Sequence, residues 1–255
     1  MKVLCFSAAS AIESCKRTMD RTLNEFGQPI GFPVPNWTSP KFPPRQPLVG
    51  RYCHLEPLDA LVHAAPLYEA YAGNDSGWTY LAYGPFPTLE SYREWVESVH
   101  AGSDPLFFAV LDDGKPVGVA SYMRITPSAG SIEVGHLNFS PRLQRSPAAT
   151  EAMYLMMKTA FGLGYRRYEW KCDALNAPSR SAAERLGFAY EGTFRQATVY
   201  KERNRDTAWF AIIDADWPAL QGAFEAWLDP ENFDSAGQQR TKLSELTSVV
   251  RRKLV

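Results

Sequence analysis

Residues that build metal centres and disulfide frameworks are scarce in this chain. Its 255 residues include four cysteines and four histidines. Cys5, Cys15, Cys53 and Cys172 form no CxxC pair and have no histidine pair beside them at ligand spacing, which argues against a structural zinc site. The same scatter argues against a disulfide framework and fits a reducing compartment, so a cytoplasmic location is expected. His54, His63, His100 and His136 are spread along the chain, a pattern of surface or packed histidines, and no metal is expected. Charge of one sign is also missing: 27 basic side chains face 28 acidic ones, a formal net charge of -1. No global field therefore draws nucleic acid or an anionic membrane, and neither is expected as a partner. No run approaches the ~20 apolar residues that a bilayer span needs. Residues 1–12 pair Lys2 with a short apolar run, a weak likeness to a secretion signal. The charged stretch that follows speaks against one, and the segment reads as a frayed leader.

What is present is an ordinary soluble composition, 45% hydrophobic and 22% charged, enough for a sizeable core. Residues 21–47 are punctuated by Gly27, Pro29, Gly31, Pro33, Pro35, Pro40, Pro43, Pro44 and Pro47. They read as an extended arm, with Phe26, Phe32, Trp37 and Phe42 expected to lie against the domain. From Leu48 the pattern alternates. Residues 48–55 read as a strand and 58–71 as a helix. An aromatic loop follows over 73–87, and Thr88 is a candidate N-cap for a helix burying Tyr92, Trp95, Val96 and Val99. Residues 107–111 and 117–125 flank Asp112-Asp113-Gly114, a hairpin signal. The next strand is 131–139. Residues 142–150 are a loop and 150–161 a helix whose Met153, Met156, Met157, Ala160 and Phe161 stripe reads as core. A strand at 165–172 precedes a short helix ending at Gly187, where a left-handed glycine is expected. Residues 188–200 and 207–213 make a hairpin, and 217–228 a helix. The tail past Pro230 is polar, with a weak amphipathic end at 243–254. This order is neither a Rossmann repeat nor a barrel. It predicts an α+β fold in which a mixed, mostly antiparallel central sheet is flanked by helices.

The informative stretch is Ile132 to Phe188. A strand ends at Ser140-Pro141, and the loop Gln144-Arg145-Ser146-Pro147-Ala148-Ala149 opens a helix at Thr150. Free amide hydrogens and the dipole at a helix start suit an anion, and the small Ala148 and Ala149 permit close backbone approach. An ordinary capped helix would carry the same residues.

The surroundings narrow the reading. A Glu-x-Gly strand (Glu133, Gly135), the Gln-Arg loop, Thr150-Glu151-Ala152, the run Asn176-x-x-Ser179-Arg180, Leu186-Gly187-Phe188 and Glu191-Gly192 occur in this order. Over residues 48–218 the chain resembles the GNAT superfamily of N-acetyltransferases, and within it the RimJ/RimL group of ribosomal-protein N-terminal acetyltransferases and their small-molecule relatives. The resemblance implies a GNAT domain at 48–218, with an arm at 1–47 and a helical extension and tail at 219–255. It implies an acyltransferase that takes acetyl-CoA as cosubstrate and a primary amine as acceptor. Its sheet would splay at the cofactor site. The pantetheine arm would pair with backbone at Leu137, Asn138 and Phe139, and a backbone amide there would face the oxyanion. The pyrophosphate would sit on the loop Gln144, Arg145, Ser146, Ala148, Ala149 and Thr150, and Asn176 would position the cofactor arm. The oligomeric state stays open, a homodimer included.

Two departures from the family pattern stand out. Pro147 replaces the first loop glycine; it lacks an amide hydrogen but suits a first helical turn. Ala183 stands where many members carry a tyrosine acid, so Ser179 becomes the candidate to protonate the leaving thiolate, unless it only caps the short helix. Glu133 is the first candidate base and His136 the second; Glu133 could equally be a structural carboxylate. Cys172 reads as a buried thiol. For the acceptor, Trp78, Tyr80, Tyr83 and Phe86 of the aromatic loop are candidate walls, and Arg195, with Tyr200, Lys201 and Arg203, could meet an acidic group. A catalytically weak CoA-binding or partner-binding module of the same fold would also accommodate Pro147 and Ala183.

Overall fold

A computed structural model describes residues 22–252; the leader-like start at 1–12 lies outside the described residues. The strands, in chain order, are β1 (Thr22–Leu23), β2 (Pro29–Ile30), β3 (Leu48–Val49), β4 (His54–Pro57), β5 (Leu106–Asp112), β6 (Lys115–Thr126), β7 (Ser131–Phe139), β8 (Arg167–Asp173), β9 (Ala189–Tyr200) and β10 (Arg203–Ile213). The helices are α1 (Ala60–Ala70), α2 (Leu89–Val99), α3 (Pro147–Gly162), α4 (Ala177–Arg185), α5 (Trp217–Leu228) and α6 (Leu243–Arg252). Eight strands form one sheet in the order β3-β4-β5-β6-β7-β8-β10-β9. Every neighbour is antiparallel except β7 and β8, which run parallel with α3 as their crossover.

The middle of the sheet is buried on both faces, and β5 shows why, whereas the edge strand β9 has no buried residue. Along β5, Phe108 and Val110 enter one core with α3 and α5, while Phe107, Ala109 and Leu111 enter a second core with α1 and α2. Successive side chains point to opposite faces, so a strand covered twice must be apolar at every position. The methionine stripe behaves as expected: Met153, Met156 and Met157 are fully packed in the α3 core. Thr88 caps α2 in a reciprocal capping box with Ser91. Gly187 takes φ +95° just past α4, the left-handed stop that glycine accepts without strain.

Three expectations change. The single strand at 48–55 is two short strands, because residues 51–53 turn to bind a side chain. Glu151, buried on α3, accepts the backbone N–H groups of Arg51 (2.9 Å), Tyr52 (2.6 Å) and Cys53 (2.8 Å). A Cβ at Gly50 would overlap that carboxylate, so the turn needs glycine there. The helix expected from 150 begins at Pro147, because Ser146 caps it by accepting the Ala149 N–H at 3.1 Å. In the arm, Phe26, Phe32 and Phe42 are exposed rather than packed. Trp37 alone of the four reaches the domain, lying over Gly130 with the Arg166 guanidinium 5.5 Å from its ring.

The C-terminal segments cover the α3 face. Trp217 and Phe224 of α5 stack on Tyr154, and Thr247 of α6 donates to the Arg185 carbonyl at 3.0 Å. The Glu151 cradle makes a direct test. Glu151→Gln keeps the volume but sets an NH2 against an amide donor, so it should lower unfolding free energy by about 2–3 kcal/mol in urea denaturation. An unchanged midpoint would mean that the turn at 51–53 does not depend on the carboxylate.

Candidate active site

The site begins with a change of register in β7. Gly135 pairs with Ser121 and Asn138 with Val119, so His136 and Leu137 together face only Ala120. His136 adopts φ +51° to make this bulge. On the other edge, β7 pairs with β8 from Ser131–Arg167 to Val134–Trp170 and no further. Beyond that point the two parallel strands part, and β8 continues as the partner of β10. The wedge between Gly135–Phe139 and the end of β8 is the splay that the family resemblance implied. Inside it, the Phe139 carbonyl accepts from the Gln144 side chain at 2.7 Å, and the Asn138 carbonyl from the Tyr71 hydroxyl at 2.9 Å. The side-chain Nδ2 of Asn138 is buried with no partner among the described residues.

Strand alternation places a set of charges beside this wedge. Ile132, Val134, Trp170 and Cys172 enter the α3 core, so Glu133, Glu169 and Lys171 project from the opposite face. Glu133 and Glu169 are cross-strand partners, a repulsive pairing that needs cations. Lys171 Nζ lies 2.8 Å from Glu133 and 2.6 Å from Glu169, and 3.7 Å from the Trp209 ring centroid. Arg124 Nη1 donates to both Glu133 oxygens at 2.8 Å. Arg167 pairs with Glu169 at 2.6 Å and with Glu191. Glu133 and Lys171 are 3% and 6% exposed at the side chain, whereas Arg124 is 58% exposed. Sequence reasoning chose Glu133 but missed Lys171 and Arg124. The signal was legible in part, since charges at 133, 169 and 171 interrupt otherwise apolar strands on one face.

His136 lies against Tyr83, whose hydroxyl is 3.0 Å from Nδ1, and against the Phe107 ring. Burial, with the nearby Arg124 charge adding to it, lowers its pKa from 6.5 to about 4. Its imidazole is therefore neutral at pH 7.

At the loop, Ser146 serves the helix cap and Arg185 Nη2 donates to Thr150 Oγ1 at 2.9 Å. Pro147 occupies the first helical position, where no donor is lost to the ladder. The amides of Arg145 and Ala148 have no partner among the described residues, and Arg145 takes φ +60° to turn the loop. Arg185, also missed, is a half-buried guanidinium with no carboxylate within salt-bridge reach among the described residues. Unpaired amides and an unpaired cation at a helix start are the chemistry of a phosphate seat.

Past β8, Asn176 caps α4 by accepting the Ser179 N–H at 3.1 Å. The capping role considered for Ser179 thus belongs to Asn176. Ser179 Oγ accepts from Trp170 Nε1 at 3.0 Å. Ala183 is fully buried. Cys172 is a buried thiol whose pKa is raised, chiefly by burial. The aromatic loop closes over the wedge through backbone carbonyls: Tyr80 donates to Leu175 O (3.2 Å), Lys201 to Trp78 O (2.8 Å) and Arg203 to Thr79 O (3.2 Å). Tyr200 donates to Asp173 at 2.9 Å. Lys201 and Arg203 therefore latch the loop, and Tyr200 ties the hairpin to the end of β8. Trp78 and Phe86 pack with Tyr71 and Tyr92 in the α1–α2 core, while Arg195 is exposed on β9. Among the described residues there is no group of His, Cys, Asp and Glu suited to a metal, and no helix long and apolar enough to cross a membrane.

Known proteins agree with this geometry. Residues 53–189 match the acetyltransferase (GNAT) domain family. A GCN5-related N-acetyltransferase from Brucella melitensis is 48% identical over 84% of this chain and 100% of its own, with a TM-score of 0.83. The chain belongs to the GNAT acetyltransferase family. A probable GNAT-family acetyltransferase from Chromobacterium violaceum is 44% identical over 75% of this chain and 98% of its own, TM-score 0.72. At 20% identity, an acetyltransferase from Salmonella typhimurium that modifies the N-terminal serine of a 50S ribosomal subunit protein shares the fold, covering 66% of this chain and 98% of its own with a TM-score of 0.58. No curated protein sequence matches the chain. Acetyl transfer is the reaction of this GNAT family, and acetyl-CoA is its general donor.

His136 makes a pH prediction. Its folded-state pKa lies below its unfolded value, so the unfolded chain binds the proton more readily and stability is lost as pH falls from 6.5 towards 4. Between pH 7 and pH 5 its contribution should fall by about 2 kcal/mol. Urea denaturation of wild type and His136→Gln at both pH values should show a shallower loss in the variant. Equal losses would contradict a neutral, buried imidazole.

Proposed function

We propose that this chain transfers the acetyl group of acetyl-CoA directly to a primary amine, borne by a small molecule or by a protein N-terminus. The observation that carries the reading is the wedge between β7 and β8, with a buried carboxylate on one side and an unpaired phosphate seat at its mouth. The catalytic domain spans 48–218, between the arm and the helical extension, and works in the cytoplasm. The arm of acetyl-CoA would lie along Leu137, Asn138 and Phe139. Its pyrophosphate would take the amides near Arg145 and Ala148 with help from Arg185, at the loop of Gln144, Ser146, Ala149 and Thr150. Asn176 holds the β8–α4 turn against which the arm would rest.

In the reaction the amine nitrogen attacks the thioester carbonyl. The ammonium loses one proton before attack; then a C–N bond forms, the C–S bond breaks, and the nitrogen's second proton is released as the thiolate is protonated. Glu133 is the proton acceptor, directly or through water. Its carboxylate already holds two cations, and an amine in water arrives as a third. Lys171 is buried and fixed, but the exposed Arg124 can leave, so the acceptor ammonium is read as taking its place. His136 is a weaker base, because its site disfavours the imidazolium. Ser179 is the group that hydrogen-bonds the developing thiolate and relays it a proton, taking one from water as it gives its own. Trp170 Nε1 donates to its oxygen and the Cys172 thiol lies within its hydrogen-bond reach, so its hydrogen would have to turn from Cys172 towards the cofactor sulfur. Tyr80 and Tyr83 supply the acceptor walls nearest this face, and Arg195 stands at the outer edge of the hairpin.

A panel of small amines and N-terminal peptides, incubated with acetyl-CoA and read by mass spectrometry for a gain of one acetyl group, tests the activity. No product with any acceptor, and no rise in melting temperature with acetyl-CoA, would sink the reading. With the best acceptor, Glu133→Gln should lower kcat by about 10²-fold with donor binding unchanged. Ser179→Ala should lower kcat on the order of tenfold to a hundredfold with little change in donor affinity. Normal turnover per folded molecule would return either residue to a structural role.

A further inference from the structure

Arg124 stands in a backbone conformation that its residue type disfavours. Met123 pairs with Glu133 and Thr126 with Ser131, so Arg124 and Ile125 together face only Ile132. Ile125 and Ile132 enter the α3 core, and the Asp104 carboxylate accepts the Ile125 N–H at 3.0 Å. The extra residue, Arg124, takes φ +45°, in the left-handed region that a long side chain seldom occupies. This second bulge brings two successive side chains onto the face of Glu133. Met123 covers Gly135, where a Cβ would overlap its sulfur, and Arg124 covers Glu133. Strain of this kind is retained where the side chain that it aims has a task.

Only part of the guanidinium is used. Nη1 donates to both Glu133 oxygens at 2.8 Å, and Nε and Nη2 make no hydrogen bond among the described residues. The side chain is more than half exposed, above a buried carboxylate. Glu133, Glu169 and Glu191 are matched by Lys171, Arg167 and Arg124, so the linked charges cancel. On the reading above, the acceptor ammonium takes the place of Nη1 on Glu133. Arg124 then loses its counter-ion and stands beside a new cation, and the two repel. A carboxylate on the carbon that bears the amine removes this repulsion. It arrives next to Glu133 together with the ammonium, within reach of the planar N–H edge that Arg124 holds unused. A monoamine without an acid, or a polyamine, adds positive charge and nothing to balance it.

We infer that the acceptor is a free α-amino acid, its ammonium seated on Glu133 and its carboxylate held by Arg124 swung aside from Glu133, so that Arg124 selects the substrate. The inference rests on the acetyl-transfer reading above. The products are the N-acetyl amino acid, CoA as the thiol and a proton, and the carboxylate stays ionised. The test gives the full chain acetyl-CoA and the α-amino acids, each beside its carboxamide and its decarboxylated amine. Thiol release and mass spectrometry follow the product. The carboxamide keeps the shape and carries a less basic amine, so amine basicity alone would favour it over the acid. The best amino acid should show a kcat/KM about thirtyfold above its carboxamide. Arg124→Gln should lower kcat/KM for the acid by about the same factor, chiefly through KM, and that for the carboxamide by less than about threefold. Arg124→Lys, which keeps the charge and loses the fork, should recover part of the acid's rate. Calorimetry of the amino acid with CoA present should show the same loss of affinity in Arg124→Gln. The wild-type comparison of acid with carboxamide stands even if the bulge does not tolerate substitution. Carboxamides, amines or peptides acetylated as well as the acids overturn this substrate class and leave acetyl transfer standing. Equal losses for acid and carboxamide in Arg124→Gln, or unchanged affinity for the acid, return Arg124 to a structural partner of Glu133 and overturn its role. No product with any acceptor overturns both the inference and the reading beneath it.

Discussion

One extra residue in β7 governs the rest of this structure. Up to Val134 the strand is held on both edges, by β6 and by β8. The bulge at His136 and Leu137 then turns the strand while β8 stays with β10. Two parallel strands buried in the middle of an eight-stranded sheet are forced apart, and backbone groups that a sheet would consume remain for other use. Some are claimed locally, by the Tyr71 hydroxyl and the Gln144 amide. Such claims are expected, because buried backbone groups without partners are costly. The loop over the wedge and the cap of α3 both follow from where β7 parts from its neighbour.

The same alternation that buries the sheet explains its charges. Each position of β7 and β8 that faces α3 is apolar, and the intervening positions carry Glu133, Glu169 and Lys171. Three carboxylates and three cations, from Arg124 to Glu191, are linked in one chain of pairs. Buried ion pairs seldom add net stability over apolar packing, since desolvation opposes the Coulomb gain. Their retention here on one face, at the point where the strands part, is better explained by chemistry than by stability. The asymmetry between a buried Lys171 and an exposed Arg124 gives the carboxylate one fixed partner and one exchangeable partner.

Much of this was legible in the sequence, and the failures have identifiable causes. The helix at 89–99 announced itself through Thr88, and the hairpin at 112–114 through Asp-Gly. The wedge was expected from the family resemblance around Glu133, Gly135 and Asn176; no local propensity encodes a splay. The break at residues 50–53 was illegible because its cause, Glu151, lies about a hundred residues away and acts through backbone amides. The burial of Trp78 in the α1–α2 core was illegible because composition does not say which way a loop residue turns. Ser179 and Asn176 exchanged the capping role because both can cap, and only the backbone path past Asp173 decides between them. Arg185 carried no signal at all; its meaning comes from Thr150 beside it.

The loop and the hairpin complete the dependence. Residues 73–87 carry little regular structure beyond one turn at Asp75–Trp78, yet the segment and the end of α1 before it are held from three directions. Tyr71 anchors on β7, Tyr80 on the β8–α4 turn, and Lys201 and Arg203 reach down from the tip of β9–β10. The last two contacts come from the end of the sheet that is latest in sequence. β10 inserts between β8 and β9, so the tip that latches the loop is placed only when the final strand pairs with β8. The cover of the wedge is thus assembled from early and late parts of the domain across a central strand that belongs to neither. Its tolerance of substitution should therefore differ by contact: Trp78 and Thr79 are held through carbonyls that any residue's backbone supplies, whereas Tyr80 is held through its own hydroxyl.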